Sequence, residues 1–125
     1  MRTRIAIFDD NKNVRNSIVL LLTTDPAFEI VGSYGSAQNF VEKVLQSRPD
    51  VILMDIEMPG IDETETIRQV KKEVPHVQVL IQTVFEDEDR IHELLRAGAS
   101  GYILKSGLNQ SLRTTILELI STGHL

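Results

Sequence analysis

The chain has 125 residues, 42% hydrophobic and 25% charged, with a formal net charge of -5 and no cysteine. That is the length of one domain, with enough apolar residues for a real core. The lack of thiols excludes a disulfide scaffold, a thiolate zinc site and a cysteine nucleophile, and the acidic balance argues against a grip on nucleic acid or an anionic membrane.

Two kinds of apolar segment alternate along the chain. Arg4–Phe8, "RIAIF", is short and strand-like, and Val14, Ile18, Leu21 and Leu22 then recur at helical spacing up to "TTDP". Phe28–Tyr34 reads as a second strand, whose alternating Phe28, Glu29 and Ile30 suit a position nearer a sheet edge. Ala37, Val41, Val44 and Leu45 mark a second helix, with Ser36 as its expected N-cap and Pro49 as its stop. "VILM", Val51–Met54, is too short for a helix and ends at Asp55. Ile67, Val70 and Val74 mark a third helix, opened by a capping box of Asp62 and Glu65 and stopped by Pro75. Val77–Thr83 is the fourth strand. Ile91, Leu94 and Leu95 give a fourth helix closed by Gly98. Gly101–Leu104 is the fifth strand, and Leu108, Leu112, Ile116, Leu119 and Ile120 form the last helix. Five strand-helix units predict an α/β fold, a doubly wound parallel sheet with helices on both faces. No apolar run approaches the roughly 20 residues of a membrane span. "MRTRIAIFDD" lacks the apolar stretch of a secretory signal, so a cytoplasmic location is expected.

In open α/β sheets, sites form at the carboxyl ends of strands, where the strand order reverses. Asp9 and Asp10 follow the first strand, Asp55 and Glu57 the third, Thr83 ends the fourth and Lys105 follows the fifth. The second ends in Tyr34-Gly35-Ser36, with no strong acid or base. Each residue alone has a plainer use. Asp9-Asp10-Asn11 would cap the first helix, Thr83 is β-branched in a strand, and most lysines are solvated. The acid run Glu86–Asp89 suits a helix start, where the macrodipole favours negative charge. Together, however, three carboxylates, a hydroxyl and an ammonium gather at one edge if strands one, three, four and five are neighbours. Clustered carboxylates repel, and a divalent cation removes that penalty. Oxygen-only ligands at a hydrated site suit Mg²⁺, at metal–oxygen distances of about 2.1 Å. Adjacent residues of an extended chain point apart. One of Asp9 and Asp10 is therefore expected to ligate directly, the other to hold a water or orient Lys105.

"FDDN", "VILMDIEMP", "LIQTVF" and "AGASGYILKS" resemble, in order and spacing, the response-regulator receiver domain of two-component signalling. The last of these, followed by a final helix and "STGHL", resembles the NarL/LuxR-type subfamily. The resemblance spans essentially residues 1–125 and implies a flavodoxin-like sheet of order 2-1-3-4-5 with five helices. It implies that Asp55 is the phosphoacceptor, that Asp10 ligates Mg²⁺ directly and Asp9 through water, and that the Glu57 backbone carbonyl completes the metal site. Thr83 would bond the phosphoryl group, Lys105 would pair with it, and Tyr102 would change rotamer in the active state. The implied phosphodonor is a sensor histidine kinase. The implied outcome is control of a dimer, through the face of helix four, strand five and helix five, or of a helix-turn-helix output domain beyond Leu125. DNA would be reached only through that domain. Such a domain is a switch rather than an enzyme, taking part in its own phosphotransfer and autodephosphorylation. A carboxylate nucleophile forming an acyl phosphate is established chemistry, and phosphoryl transfer asks mainly for positioning and charge neutralisation.

Three departures from the family pattern stand out. Glu63 occupies a usual glycine position; if that position needs a positive φ, a side chain there costs roughly 1 kcal/mol or more, unless the Asp62–Glu65 capping box offsets this with a slightly different loop. Ser106, not proline, follows Lys105. Val84 stands where many members have alanine and is expected to narrow access to Asp55. Three other readings fit less well. A pseudo-receiver would lack Asp55, the acidic pair or Lys105. A haloacid-dehalogenase-type phosphatase wants Asp-x-Asp after strand one. A flavin-binding flavodoxin needs a Ser/Thr/Gly-rich phosphate loop where this chain has "DDNKNV".

Overall fold

The computed structural model describes residues 2–122; the end of "STGHL", residues 123–125, lies outside the described residues. The elements are β1 Thr3–Phe8, α1 Lys12–Thr23, β2 Phe28–Tyr34, α2 Phe40–Ser47, β3 Val51–Asp55, α3 Glu63–Glu73, β4 Gln78–Thr83, α4 Glu88–Ala97, β5 Gly101–Leu104 and α5 Leu108–Thr122. A single 3₁₀ turn, Lys105–Gly107, joins β5 to α5. All strand pairs are parallel, in the order β2-β1-β3-β4-β5. The chain thus steps outward from β1 to β2, then returns to the other side of β1 for β3. That reversal sets a crevice at the carboxyl ends of β1 and β3.

Period-two alternation divides each central strand between two cores. Ile5, Ile7, Val51, Leu53, Leu80 and Ile103 pack with Ile18 and Leu22 of α1 and with Leu112, Ile116 and Leu119 of α5. Ala6, Phe8, Ile52, Met54, Val79 and Ile81 pack with Phe40 and Val44 of α2, Ile67 and Val70 of α3 and Leu94 of α4. Every residue of β3 is buried, Asp55 included. Truncating one of these leucines or isoleucines to alanine costs roughly 2–5 kcal/mol, so the sheet is a rigid base for what stands at its edge.

The helix ends explain most boundaries. Asn11 caps α1, its side chain accepting from the N–H groups of Asn13 and Val14. Asp62 caps α3 and accepts from the Glu65 N–H at 3.2 Å. Asp87 caps α4, with Glu88 and Asp89 in its first turn, as expected of an acid run at a helix start. Gly98 closes α4 at φ 125°, its N–H reaching the carbonyls of Leu94 and Leu95.

Two expectations need correction, and a third is settled in favour of the capping-box loop. Ser36 does not cap α2: its hydroxyl accepts the Gln38 N–H at 3.0 Å, and the helix begins four residues later, after Asn39 in a left-handed conformation. The delay seats Ala37 in the core and stacks Phe40 on Phe8 at 3.9 Å. Glu63 carries no positive-φ strain. The left-handed turn falls at Gly60, φ 83°, and Glu63 is already the first helical residue of α3. Finally, β4 starts at Gln78, because the Val77 N–H closes a turn onto the Val74 carbonyl.

Candidate functional site

The acidic edge is built from strand ends. Asp9 follows β1 and continues its ladder, its N–H reaching the Tyr34 carbonyl at 3.1 Å. Asp55 is the last residue of β3. Each carboxylate is locked by the backbone two residues on. Asp9 Oδ1 accepts the Asn11 N–H at 2.9 Å, and Asp55 Oδ1 accepts the Glu57 N–H at 3.0 Å. Their second oxygens share one cation: Lys105 Nζ lies 3.1 Å from Asp9 Oδ2 and 3.1 Å from Asp55 Oδ2. Asp9 and Asp55 are buried, whereas Asp10 is exposed, and one oxygen from each of the three lies within 4.8 Å of the others. Of the adjacent pair, Asp9 is the one in contact with Lys105, and Asp10 is exposed.

The electrostatics follow from this crowding. Burial pushes the Asp9 carboxyl above its usual value, against the Asn11 N–H and the Lys105 ammonium, and Asp55 nearby adds to the rise. Burial also works to lower the Lys105 ammonium, but hydrogen bonds and charge from Asp55 and Asp9 outweigh it and hold that group above an ordinary lysine. The two shifts are not mirror images, because one ammonium divides itself between two carboxylates while Asp9 bears the fuller desolvation.

The other expected residues are partly gathered. Thr83 is buried, and its hydroxyl donates to the Phe85 carbonyl at 3.0 Å. Tyr102 lies at the surface, its hydroxyl 3.5 Å from Glu86 Oε1. Glu57 is exposed beside Asp55, and Val84 and Phe85 are exposed past Thr83. A cleft of about 300 Å³ between α1 and α5, lined by Asn11, Val14, Ile18 and Leu108, adjoins the site at Lys105.

Two residues escaped the sequence reading. Arg15 Nη1 donates to the Asp9 carbonyl at 2.7 Å. Gln82 Nε2 donates to Asp9 Oδ2 at 3.1 Å. The signal for Gln82 was present: an amide inside a strand that reads as buried on both faces needs a partner.

Comparison with known proteins agrees with this geometry. Residues 5–117 match the response regulator receiver domain. The transcriptional regulatory protein DegU of Brevibacillus brevis is 38% identical over 104 residues, 83% of this chain and 44% of that protein. The transcriptional regulatory protein LiaR of Bacillus subtilis is 32% identical over 103 residues, 82% of this chain and 49% of that protein. The chain thus spans about half the length of these curated relatives. A two-component response regulator of the LuxR family from Aurantimonas superposes with a TM-score of 0.88 at 27% identity, covering 99% of this chain and 88% of that one. Strand order and sequence match lead to one conclusion: this chain belongs to the receiver domains of two-component response regulators, with LuxR-family transcription regulators among its relatives.

Proposed function

We propose that this chain is a phosphorylation-dependent switch that accepts a phosphoryl group on Asp55 from a sensor histidine kinase, with Mg²⁺ at the acidic edge. One observation carries the reading: Lys105 bridges Asp9 and Asp55 at the sheet's reversal point, with Asp10 close by on the open side. The donor set fits the cation. It is oxygen only, and it leaves an exposed side for waters that Mg²⁺ sheds reluctantly. Asp10 and Asp55 would ligate directly, Asp9 through water and Glu57 through its carbonyl. Bound there, Mg²⁺ would neutralise charge on the carboxylates and the arriving phosphoryl group.

In the transfer, an Asp55 oxygen attacks phosphorus as the P–N bond of the phosphohistidine breaks. The bonding electrons return to the imidazole, and an acyl phosphate remains on Asp55. Lys105 turns part of its charge from Asp55 to the phosphoryl oxygens. Thr83 exchanges the Phe85 carbonyl for a phosphoryl oxygen. Tyr102 lies two residues before Leu104, the β5 register partner of Thr83, so a shift at Thr83 frees space for its ring. A local charge then biases the face of α4, β5 and α5. The engagement of Thr83 with Phe85 and the outward Tyr102 both suit the unphosphorylated state.

The reading extends to a helix-turn-helix output domain past Leu125 and to dimerisation through the α4-β5-α5 face. Support for the first comes from relatives about twice as long as the matched span and named as transcriptional regulators. No helix of the described residues is long and apolar enough to cross a membrane. Incubation with acetyl phosphate and Mg²⁺, followed by intact mass measurement, tests the phosphoacceptor. A single phosphoryl adduct is expected, absent in Asp55→Asn and suppressed by EDTA. An adduct that persists in Asp55→Asn, or forms equally in EDTA, overturns the reading.

A further inference from the structure

Gln82 is fully buried in β4. It stands in register with Asp55 on β3 and with Ile103 on β5. Parallel neighbours in register point to the same face, so Gln82 shares the row that carries Asp55. Its Nε2 donates to Asp9 Oδ2, the oxygen that also accepts from Lys105. An ionised carboxylate can only accept. The amino group must therefore face Asp9, and the carbonyl is turned aside. That carbonyl oxygen, Oε1, is buried with no hydrogen-bond partner among the described residues. A buried acceptor left unmade is costly, and an apolar side chain would avoid the cost. The orphan sits on the same carboxamide that touches the acidic cluster.

We propose that Gln82 is a positioning residue for the cation site: its amide nitrogen fixes the Asp9 carboxylate, and that contact is the reason a buried strand keeps an amide whose carbonyl goes unpaired. The proposal rests on the reading of Asp9, Asp10 and Asp55 as a Mg²⁺ site. Gln82 also solves a problem of timing. When Lys105 turns toward a phosphoryl group, Asp9 Oδ2 loses its cation, and the amide keeps that carboxylate in place. Partners behind a metal's direct ligands are typically worth tenfold or more in affinity.

Gln82→Met keeps the side-chain length and removes both polar atoms. Calorimetric Mg²⁺ titration and the Mg²⁺ dependence of phosphorylation by acetyl phosphate test it together. The dissociation constant for Mg²⁺ should rise about tenfold, while the maximal rate at saturating Mg²⁺ falls far less. Loss of packing alone would not produce that split. A folded Gln82→Met with the parent's Mg²⁺ affinity overturns the assignment. A parent that binds no Mg²⁺ removes the underlying metal reading instead. If the variant does not fold, the parent still decides: the nitrogen resonance of the Gln82 side-chain amide should shift as Mg²⁺ is added, with the midpoint of the calorimetric titration. An amide resonance that stays still while Mg²⁺ binds overturns the proposal.

Discussion

The Lys105 ammonium reaches from the turn after β5 past all of β4 to stand 3.1 Å from Asp55 Oδ2. The same nitrogen is 3.1 Å from Asp9 Oδ2, so one cation compensates two buried carboxylates. Removing it leaves both without a counter-charge. Lys105→Met is expected to lower stability in Mg²⁺-free buffer by about 1–3 kcal/mol, with part of the loss recovered on adding Mg²⁺. Urea denaturation with and without the cation measures both effects. No loss without Mg²⁺ would mean that the bridge contributes nothing.

The raised Asp9 carboxyl gives a pH dependence with a definite sign. Its folded value lies above the usual 3.8 because the group is buried. Between those two values the folded protein holds a proton that the unfolded chain has released. Stability from this group is therefore present below that window and declines as pH rises through it. A bound cation needs the charged form and restores what rising pH removes. At ten times its dissociation constant, Mg²⁺ adds about 1.4 kcal/mol. The thermal shift on adding Mg²⁺ should thus grow from acid to neutral pH. In Asp9→Asn the shift should shrink, while the Mg²⁺-free variant is at least as stable as the parent. A full Mg²⁺ shift in Asp9→Asn would contradict the placement of the cation.

The order of elements and the acidic edge were legible because both are written locally. Short apolar runs alternate with helical stripes, and chemistry-bearing residues follow the runs at Asp9, Asp10, Asp55, Thr83 and Lys105. What could not be read depends on contacts between distant residues. Asn39 takes a left-handed conformation, and Ser36 loses the cap, because Phe40 must reach Phe8. Gln82 passed as one more strand residue, since its meaning comes from a register that sets it beside Asp55 and within reach of Asp9. Whether Glu63 is strained was left open by the sequence and is settled by the loop, which puts its positive φ at Gly60; the Glu63 carboxylate pairs with Arg90, on the next helix.

That Arg90 contact ties α3 to α4. Arg90 pairs with Glu63 through Nη2, and through Nη1 it reaches Glu93 Oε1 at 2.8 Å and Thr64 Oγ1 at 3.2 Å. Thr64 donates in turn to Glu93 Oε1 at 2.6 Å. Arg90→Ala strands the half-buried Glu63 and should cost about 1–2 kcal/mol. It should also speed hydrogen exchange in α4. With the phosphoryl mimic beryllofluoride, the parent should change its exchange across Thr83–Leu108. Unchanged protection in that segment would count against a switch carried by α4 and β5.

Phe85 is 63% exposed, so it does not serve mainly as packing for α4. It lies two residues past Thr83, and under the proposed function it would flank the approach of water to an acyl phosphate on Asp55. Being apolar, it cannot orient that water. Phe85→Ala should lose the phosphoryl group several-fold faster, with stability changed by only about 0.5 kcal/mol. Equal first-order dephosphorylation rates, with folding confirmed by circular dichroism, would remove the shielding role.

Chemical trapping reads directly whether Asp55 is the phosphoacceptor. The protein is phosphorylated with acetyl phosphate and Mg²⁺, reduced with borohydride, digested and sequenced by mass spectrometry. Borohydride converts an aspartyl phosphate to homoserine and leaves free aspartate unchanged. Homoserine at position 55 alone, and none after incubation in EDTA, is the expected result. Homoserine at position 9 or 10, or an unreduced Asp55 in protein that carries the phosphoryl mass, would contradict it.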